Sequence, residues 1–367
     1  MDKLYQIALT LAEGVGPRIA KVLIAHCGGA EAVFKASKSE LQKIAGLPKK
    51  IGYSVKDDTL LRRAEKELNF CEKHEIKAHF FKDESYPQRL ARCEDGPVML
   101  YQKGDTNLNQ RKCLAIVGSR NATAYGEIFT QKLCRDLKAH NPLIISGMAY
   151  GADYFAHKAS LEHRLLTIGV MAHGLDRVYP AAHRKTAQKM VEEGGGLVTE
   201  FMSETNPDRE NFPKRNRIIA GMSDAILVIE AKAGGGALIT AKLANGYNRD
   251  VFALPGRYND ELSQGCNNLI KQNLANAITG VKDLEYIMNW EVKEGQAQHD
   301  QQLSMFSNLN ELEQQIVKLL GENANAIAID VISYKLALPI SKISTNLMTL
   351  ELKGIVKGLP GKIYTLV

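Results

Sequence analysis

The sequence lacks the features that mark several protein classes. No run of about 18 apolar residues occurs, the length a helix needs to cross a bilayer. Its six cysteines (Cys27, Cys71, Cys93, Cys113, Cys134 and Cys266) are scattered with no CxxC pair. That pattern speaks against a bound metal and for reduced thiols packed as small hydrophobes. There is no GxxxxGK[ST] loop and no GxGxxG fingerprint, so a P-loop ATPase and a standard dinucleotide site are both unsupported. With 45% hydrophobic and 24% charged residues, the chain does not read as disordered or fibrous. The N-terminal stretch turns polar at Glu13 before a signal-peptide core is complete, and a cytoplasmic protein is expected.

What is present is a chain of 367 residues, long enough for two or three domains, with a mild net charge of +6. That charge permits a nucleic-acid partner without demanding one, so its placement has to decide. Residues 1–75 read as short helices broken at Gly14-Val15-Gly16-Pro17 and again at Ala45-Gly46-Leu47-Pro48. Helix, Gly-x-Gly turn and helix is the helix-hairpin-helix arrangement, whose turn amides can face a DNA phosphate. A plain αα-hairpin that needs glycine for its turn reads equally well.

From residue 76 to 290 the pattern alternates. Apolar runs at Cys113–Val117, Leu143–Ser146, Leu165–Met171, Leu197–Thr199, Ala225–Ile229 and Val251–Leu254 are separated by helical stretches. This implies a parallel α/β sheet covered on both faces, with ligands bound beyond the carboxyl ends of its strands. Residues 291–307 are polar, Gln-rich and aperiodic, and read as a linker. Residues 308–367 read as three helices and a β-hairpin, a winged-helix pattern. Its recognition helix carries one lysine against one glutamate, poor for reading DNA and compatible with a protein contact.

The chemistry is concentrated at the strand ends. Gly118-Ser119-Arg120 is a small-residue turn with an arginine at its tip, ahead of a helix whose first amides could hold a phosphate. Ser146-Gly147 opens a similar turn after the next strand, with Ser146 as a possible phosphate donor; a tight βα turn needs nothing more. Tyr179 precedes His183, Arg184 and Lys185, cations at a helix start where the dipole disfavours them. The strongest stretch is Phe212-Pro213-Lys214-Arg215-Asn216-Arg217: three cations and an amide in a first helical turn beside an aromatic ring. Cations for phosphates and rings for bases suit a single nucleic-acid strand, and a salt-bridged surface is the bland alternative. Gly235 and Gly236 belong to a further glycine turn before a helix, preceded by Glu230, which could bind a ribose hydroxyl or hold Arg215 or Arg217.

Taken together, these loops resemble the DNA-processing protein A (DprA, or Smf) family. The resemblance runs through Gly118–Arg120, Ser146–Asp153, Gly174–Asp176 with Tyr179-Pro180, Phe212-Pro213 with Arg215–Arg217, Gly236–Ala241, Phe252–Gly256 and Gly265–Asn267, in family order. It covers residues 80–285 densely, and the flanking helical and winged-helix readings fit the longer members. It implies an extended Rossmann-like domain and a non-enzymatic protein without cofactor or metal. Such a protein binds single-stranded DNA during natural transformation, protects it, loads the RecA recombinase onto it, and forms homodimers. Carried over, Arg120 is the leading phosphate contact, with Lys214–Arg217 and the Tyr179–Lys185 region lining the same pocket. Ala181-Ala182-His183 departs from the family, where a lysine or asparagine is usual; His183, Arg184 or Lys185 would substitute. Gly234–Gly236 departs too, where a serine often sits.

The rival reading is a nucleoside-monophosphate phosphoribohydrolase, but the glutamate such enzymes carry after a GGxGT turn is missing from Gly234–Lys242. A duplex-DNA regulator acting through residues 308–367 is the third, and balanced charge disfavours it.

Overall fold

The computed structural model describes residues 2–46, 48, 50–290, 309–321, 326–353, 355–359 and 362–366. They fall into two compact units, Met1–Glu291 and Val292–Val367. The expected linker at 291–307 lies outside the described residues.

Six helices open the first unit: α1 (Asp2–Leu11), α2 (Pro17–Cys27), α3 (Ala30–Lys35), α4 (Lys38–Gln42), α5 (Ile51–Ser54) and α6 (Asp58–Lys73). The α1–α2 turn needs glycine at Gly14, where φ is +76°, and Pro17 starts α2 at the position where a missing amide costs nothing. Ile7, Leu9, Leu23 and Val33 pack in one core with Met99, Tyr101, Met190 and Leu197, so these helices cover one edge of the sheet.

The sheet then follows. Its first elements are β1 (Ile76–Phe80), α7 (Gln88–Ala91), β2 (Met99–Lys103), β3 (Cys113–Val117), α8 (Ala124–Asp136), β4 (Leu143–Ser146), α9 (Ala152–Glu162) and β5 (Thr167–Val170). It continues through α10 (Arg184–Glu192), β6 (Gly196–Thr199), α11 (Asn211–Met222), β7 (Ala225–Val228), α12 (Gly236–Gly246), β8 (Asp250–Ala253), α13 (Gln264–Lys271), β9 (Asn276–Ala277) and α14 (Val281–Met288). The strand order is β1-β2-β6-β5-β4-β3-β7-β8-β9. From β6 to β9 every pair is parallel; β1 and β2 add an antiparallel edge that the sequence reading did not anticipate.

Period-two alternation sorts the strand residues between two cores. In β3, Leu114 and Ile116 face α8 and α9, while Cys113, Ala115 and Val117 face α11 and α12. All six cysteines are unpaired, and burial pushes the thiols of Cys113, Cys134 and Cys266 up to about 12, which leaves them inert. Running outward from β3, strand order reverses direction between β3 and β7, which places the topological switch point, and its crevice, at their carboxyl ends.

The second unit holds α15 (Glu311–Gly321), β10 (Ile327–Ala328), α16 (Ile329–Leu336), α17 (Ile340–Leu352), β11 (Val356–Leu359) and β12 (Ile363–Leu366). Pro360 and Gly361 of the expected hairpin turn lie outside the described residues. Ile316, Ile332, Ile343, Leu347 and Leu350 form its core. The exposed side of α17 carries Ser341, Lys342, Ser344, Thr345, Met348 and Glu351.

One buried group makes the first unit pH-sensitive. His157 on α9 is fully enclosed with Nδ1 2.7 Å from Thr167 Oγ1, and burial pushes its pKa from 6.5 down to about 3. The unfolded chain therefore takes up this proton first, so the stability His157 contributes is whole above pH 6.5 and is lost as pH falls toward 3. Denaturation midpoints should drop between about pH 7 and 4, less steeply in His157→Asn. Parallel pH profiles for the two proteins would exclude His157 as a source.

Candidate functional site

The switch-point crevice is a cleft of about 730 Å³. Its walls are the turn after β3 (Gly118, Ser119, Arg120, Asn121), the cleft face of α11 (Phe212, Arg215, Asn216, Ile219), the turn after β7 (Lys232 to Gly236), and Glu261 with Gln264. A smaller cavity of about 60 Å³ adjoins it and shares Arg120, Ala149, Phe212 and Arg215. Gly147, His173 and Tyr179 are among the other residues that line it.

Arg120 is exposed at the junction, its guanidinium 5.2 Å from the centre of the Phe212 ring. The Tyr179 ring stands edge-on to Phe212 at 6.3 Å and is half exposed. Among the described residues Arg120 makes no ion pair, so its charge is available to a ligand phosphate while its flat face rests on an aromatic.

Two amides of the β3 turn are taken up within the fold and are not free for an anion. Ser119 N donates to Glu230 O at 2.6 Å, and Asn121 N to Ser119 Oγ at 3.1 Å. The first turn of α8 is closed from within: Thr123 accepts from Tyr125 N, and buried Glu230 accepts from both Thr123 N (2.7 Å) and Thr123 Oγ1 (2.9 Å). Glu230 is thus the anion at this helix start and holds neither Arg215 nor Arg217. Gly118 is required here, because a Cβ would stand 2.6 Å from Ala152 Cβ.

Ser146 is fully buried and donates to Ile116 O at 2.6 Å, which leaves its hydroxyl no donor for a phosphate. Gly147 backs directly onto Arg215 and Asp153, leaving no room for a side chain. Arg215 itself is 5% exposed; its Nη1 donates to Gly147 O and Val170 O at the ends of β4 and β5. Burial pushes the neighbouring Asp153 carboxyl up, while Arg215 and the Ala149 amide pull it back. Arg215 therefore presents charge to the cleft from inside the fold.

Helical spacing divides the cationic stretch between two faces. Phe212, Arg215, Asn216 and Ile219 face the cleft; Arg217 lies on another face, where it is bound to Glu200 and to Asp95 O. Lys214 is exposed, does not line the cleft, and lies close enough to Glu200 to lower its pKa. Burial nonetheless pushes the Glu200 carboxyl up overall. Arg184 and Lys185 are exposed at the start of α10 and line neither cavity. His183 cannot stand in for a lysine: it is buried, 2.9 Å from Met148 O, and stacked on Tyr154 at 4.6 Å.

Gly235 and Gly236 line the cleft at the start of α12, which has no side-chain cap, and the side of Gly236 where a Cβ would project is open. Asn121, Lys232, Glu261 and Gln264 join the site although the sequence reading did not select them. Lys232 carried a usable signal: it stands three residues beyond the β7 apolar run, in the turn at a carboxyl strand end. Among the described residues no cluster of three or more His, Cys, Asp or Glu could hold a metal, and no helix is long and apolar enough to cross a membrane.

A parallel-dominated α/β sheet with a cleft at its switch point, followed along the chain by a unit of three helices and a small antiparallel sheet, defines the class of fold. The family model for DNA recombination-mediator protein A matches residues 77–289, and that for the DprA winged helix domain matches 307–362; the chain belongs to this family. It is 34% identical over 284 residues to Protein Smf of Escherichia coli K12, spanning 76% of this chain and 74% of that protein. The crystal structure of Streptococcus pneumoniae DNA processing protein A superposes with a TM-score of 0.63 at 28% identity, over 77% of this chain and 96% of that one. Helicobacter pylori DNA processing protein A, described for its single-stranded DNA binding mode, gives 0.53 at 29% identity over 58% and 95% of the two chains. The role is a DprA-type one in DNA processing.

The division of α11 can be checked directly. Arg217→Ala leaves Glu200 buried and unpaired, and should cost roughly 3–5 kcal/mol of stability, read from the denaturation midpoint. Native stability in Arg217→Ala would mean that the pair with Glu200 does not hold this face of α11.

Proposed function

We propose that the protein is a non-enzymatic single-stranded DNA-binding protein that shields incoming DNA in natural transformation and loads RecA onto it. It would act in the cytoplasm as a homodimer. The observation that carries this reading is Arg120: an exposed, unpaired guanidinium lying over Phe212 at the switch-point cleft. A cation for the phosphate next to rings for the base is the composition that binds single strands irrespective of sequence. The single-stranded DNA binding mode described for the Helicobacter pylori relative supports it. Among the residues proposed as contacts, Arg120, Asn216, Gly235 and Gly236 meet the strand; Phe212 and Tyr179 stack; Arg215 contributes buried charge. Arg184, Lys185 and Lys214 act at longer range. Carboxylates lining the cleft are Asp153, held beside Arg215, and Glu261, paired to Lys232, and the glutamate that a phosphoribohydrolase carries after its glycine turn is missing from Gly234–Lys242. The α17 surface, with one lysine and one glutamate, is assigned to protein contacts.

Anisotropy of a labelled single strand, titrated over a range of salt, tests this. Arg120→Ala should weaken binding to all sequences alike and flatten the log–log salt slope by about 0.7. Phe212→Ala should cost roughly 1–3 kcal/mol at nearly constant slope. Unchanged affinity and slope in folded Arg120→Ala, or tighter binding of duplex than of single strand by the wild type, would overturn the reading. RecA loading is tested by filament formation on strands already coated with single-strand-binding protein, where this protein should shorten the lag.

A further inference from the structure

Lys232 and Glu261 both line the cleft, and they are joined there: Nζ lies 2.7 Å from the Glu261 carboxylate. Both side chains are more than half exposed, at 51% and 68%. An ion pair so open to water is weak and exchangeable. Its backbone is not loose, however. Ala231 N donates to Leu262 O at 2.6 Å and Gly265 N to Ala231 O at 2.8 Å, so the loop bearing Glu261 is stitched to the segment bearing Lys232. Gly265 permits this approach, since a Cβ there would stand 2.6 Å from the carbonyl oxygens of both Ala231 and Lys232. The two charges are therefore held face to face by the main chain, at the edge of a cleft whose other exposed cation, Arg120, has no acidic partner among the described residues.

We propose that Lys232 is a second phosphate-binding residue of the cleft and that Glu261 is its place-holder, a carboxylate that a strand phosphate displaces. The inference rests on the single-strand reading above. An acidic side chain on the rim of a polyanion site otherwise only repels the ligand. Paired to Lys232, it keeps that lysine oriented in the free protein and releases it on exchange. Exchange has a distinct ionic signature. A free lysine that meets a phosphate releases a counterion, whereas a lysine passing from a carboxylate to a phosphate releases almost none. In the wild type, Arg120 should thus carry salt dependence and Lys232 very little.

A double-mutant cycle on the full chain separates the possibilities, using the same labelled single strand at several salt concentrations, with thermal melting to confirm folding. Glu261→Gln should bind about two- to fivefold more tightly at low salt and steepen the salt slope by about 0.7. In a Lys232→Gln background, Glu261→Gln should leave the slope unchanged and give a smaller gain. Equal gains and equal slope changes in the two backgrounds would mean that Glu261 merely repels the strand, and would overturn the exchange while leaving the single-strand reading intact. No effect of Glu261→Gln on affinity or slope would overturn it as well. If the wild type itself fails to bind the strand, the reading of the cleft falls, and this inference with it.

Discussion

A guanidinium buried at the ends of β4 and β5 is the constraint from which the rest of the cleft follows. Arg215 is almost inaccessible, and a charge in that position is tolerated only when its donors are satisfied and a counter-charge lies near. Gly147 O and Val170 O take its hydrogen bonds and Asp153 supplies the opposite charge. Once Arg215 is placed, the rotation of α11 is settled. Phe212, Asn216 and Ile219 must then face the cleft, and Arg217 must face Glu200. Position 147 has to be glycine because the guanidinium occupies the space of a side chain. Three consecutive polar positions, Arg215 to Arg217, thereby acquire three different surroundings.

A second buried charge shapes the opposite wall. Glu230 takes the amide and hydroxyl of Thr123 and so neutralises the start of α8 from within. The start of α12, a short distance along the same chain, has no such cap and opens on the cleft. The structure thus silences one of two glycine-flanked helix starts and leaves the other available. Arg120 and the Lys232–Glu261 pair line this same cleft.

The strongly apolar part of the fold was legible in the sequence because its strands are buried on both faces. The runs at Cys113–Val117 and Leu143–Ser146 are strands with the boundaries expected for them. Strands β1 and β2 escaped notice for the opposite reason. Ile76–Phe80 is only partly buried, and β2 carries Gln102, a polar residue inside the sheet that is satisfied by His79 and Thr106 O. Neither an apolar run nor clean alternation survives such a pair. Loops with chemistry were equally legible as positions: Arg120, Phe212 and the Gly234–Gly236 turn all come to one cleft, since each follows a strand or begins a helix at the same end of the sheet.

Composition and local pattern by themselves determined that this chain is an α/β protein with its polar turns at the carboxyl strand ends. They do so because burial on two faces and the period of a helix are local properties of a sequence. What each turn's side chains do was decided only by tertiary structure. Whether a cationic side chain reaches solvent, a carbonyl or a carboxylate depends on groups on other elements of the chain: Val170 for Arg215, Glu200 for Arg217, Glu261 for Lys232. Ser146 and His183 look like ligand-binding residues in the sequence and are internal fasteners in the fold, because neighbouring strands and rings satisfy them first. Arg120 is left over from that internal pairing, and a group left unpaired at the mouth of a cleft is the one free to meet a ligand.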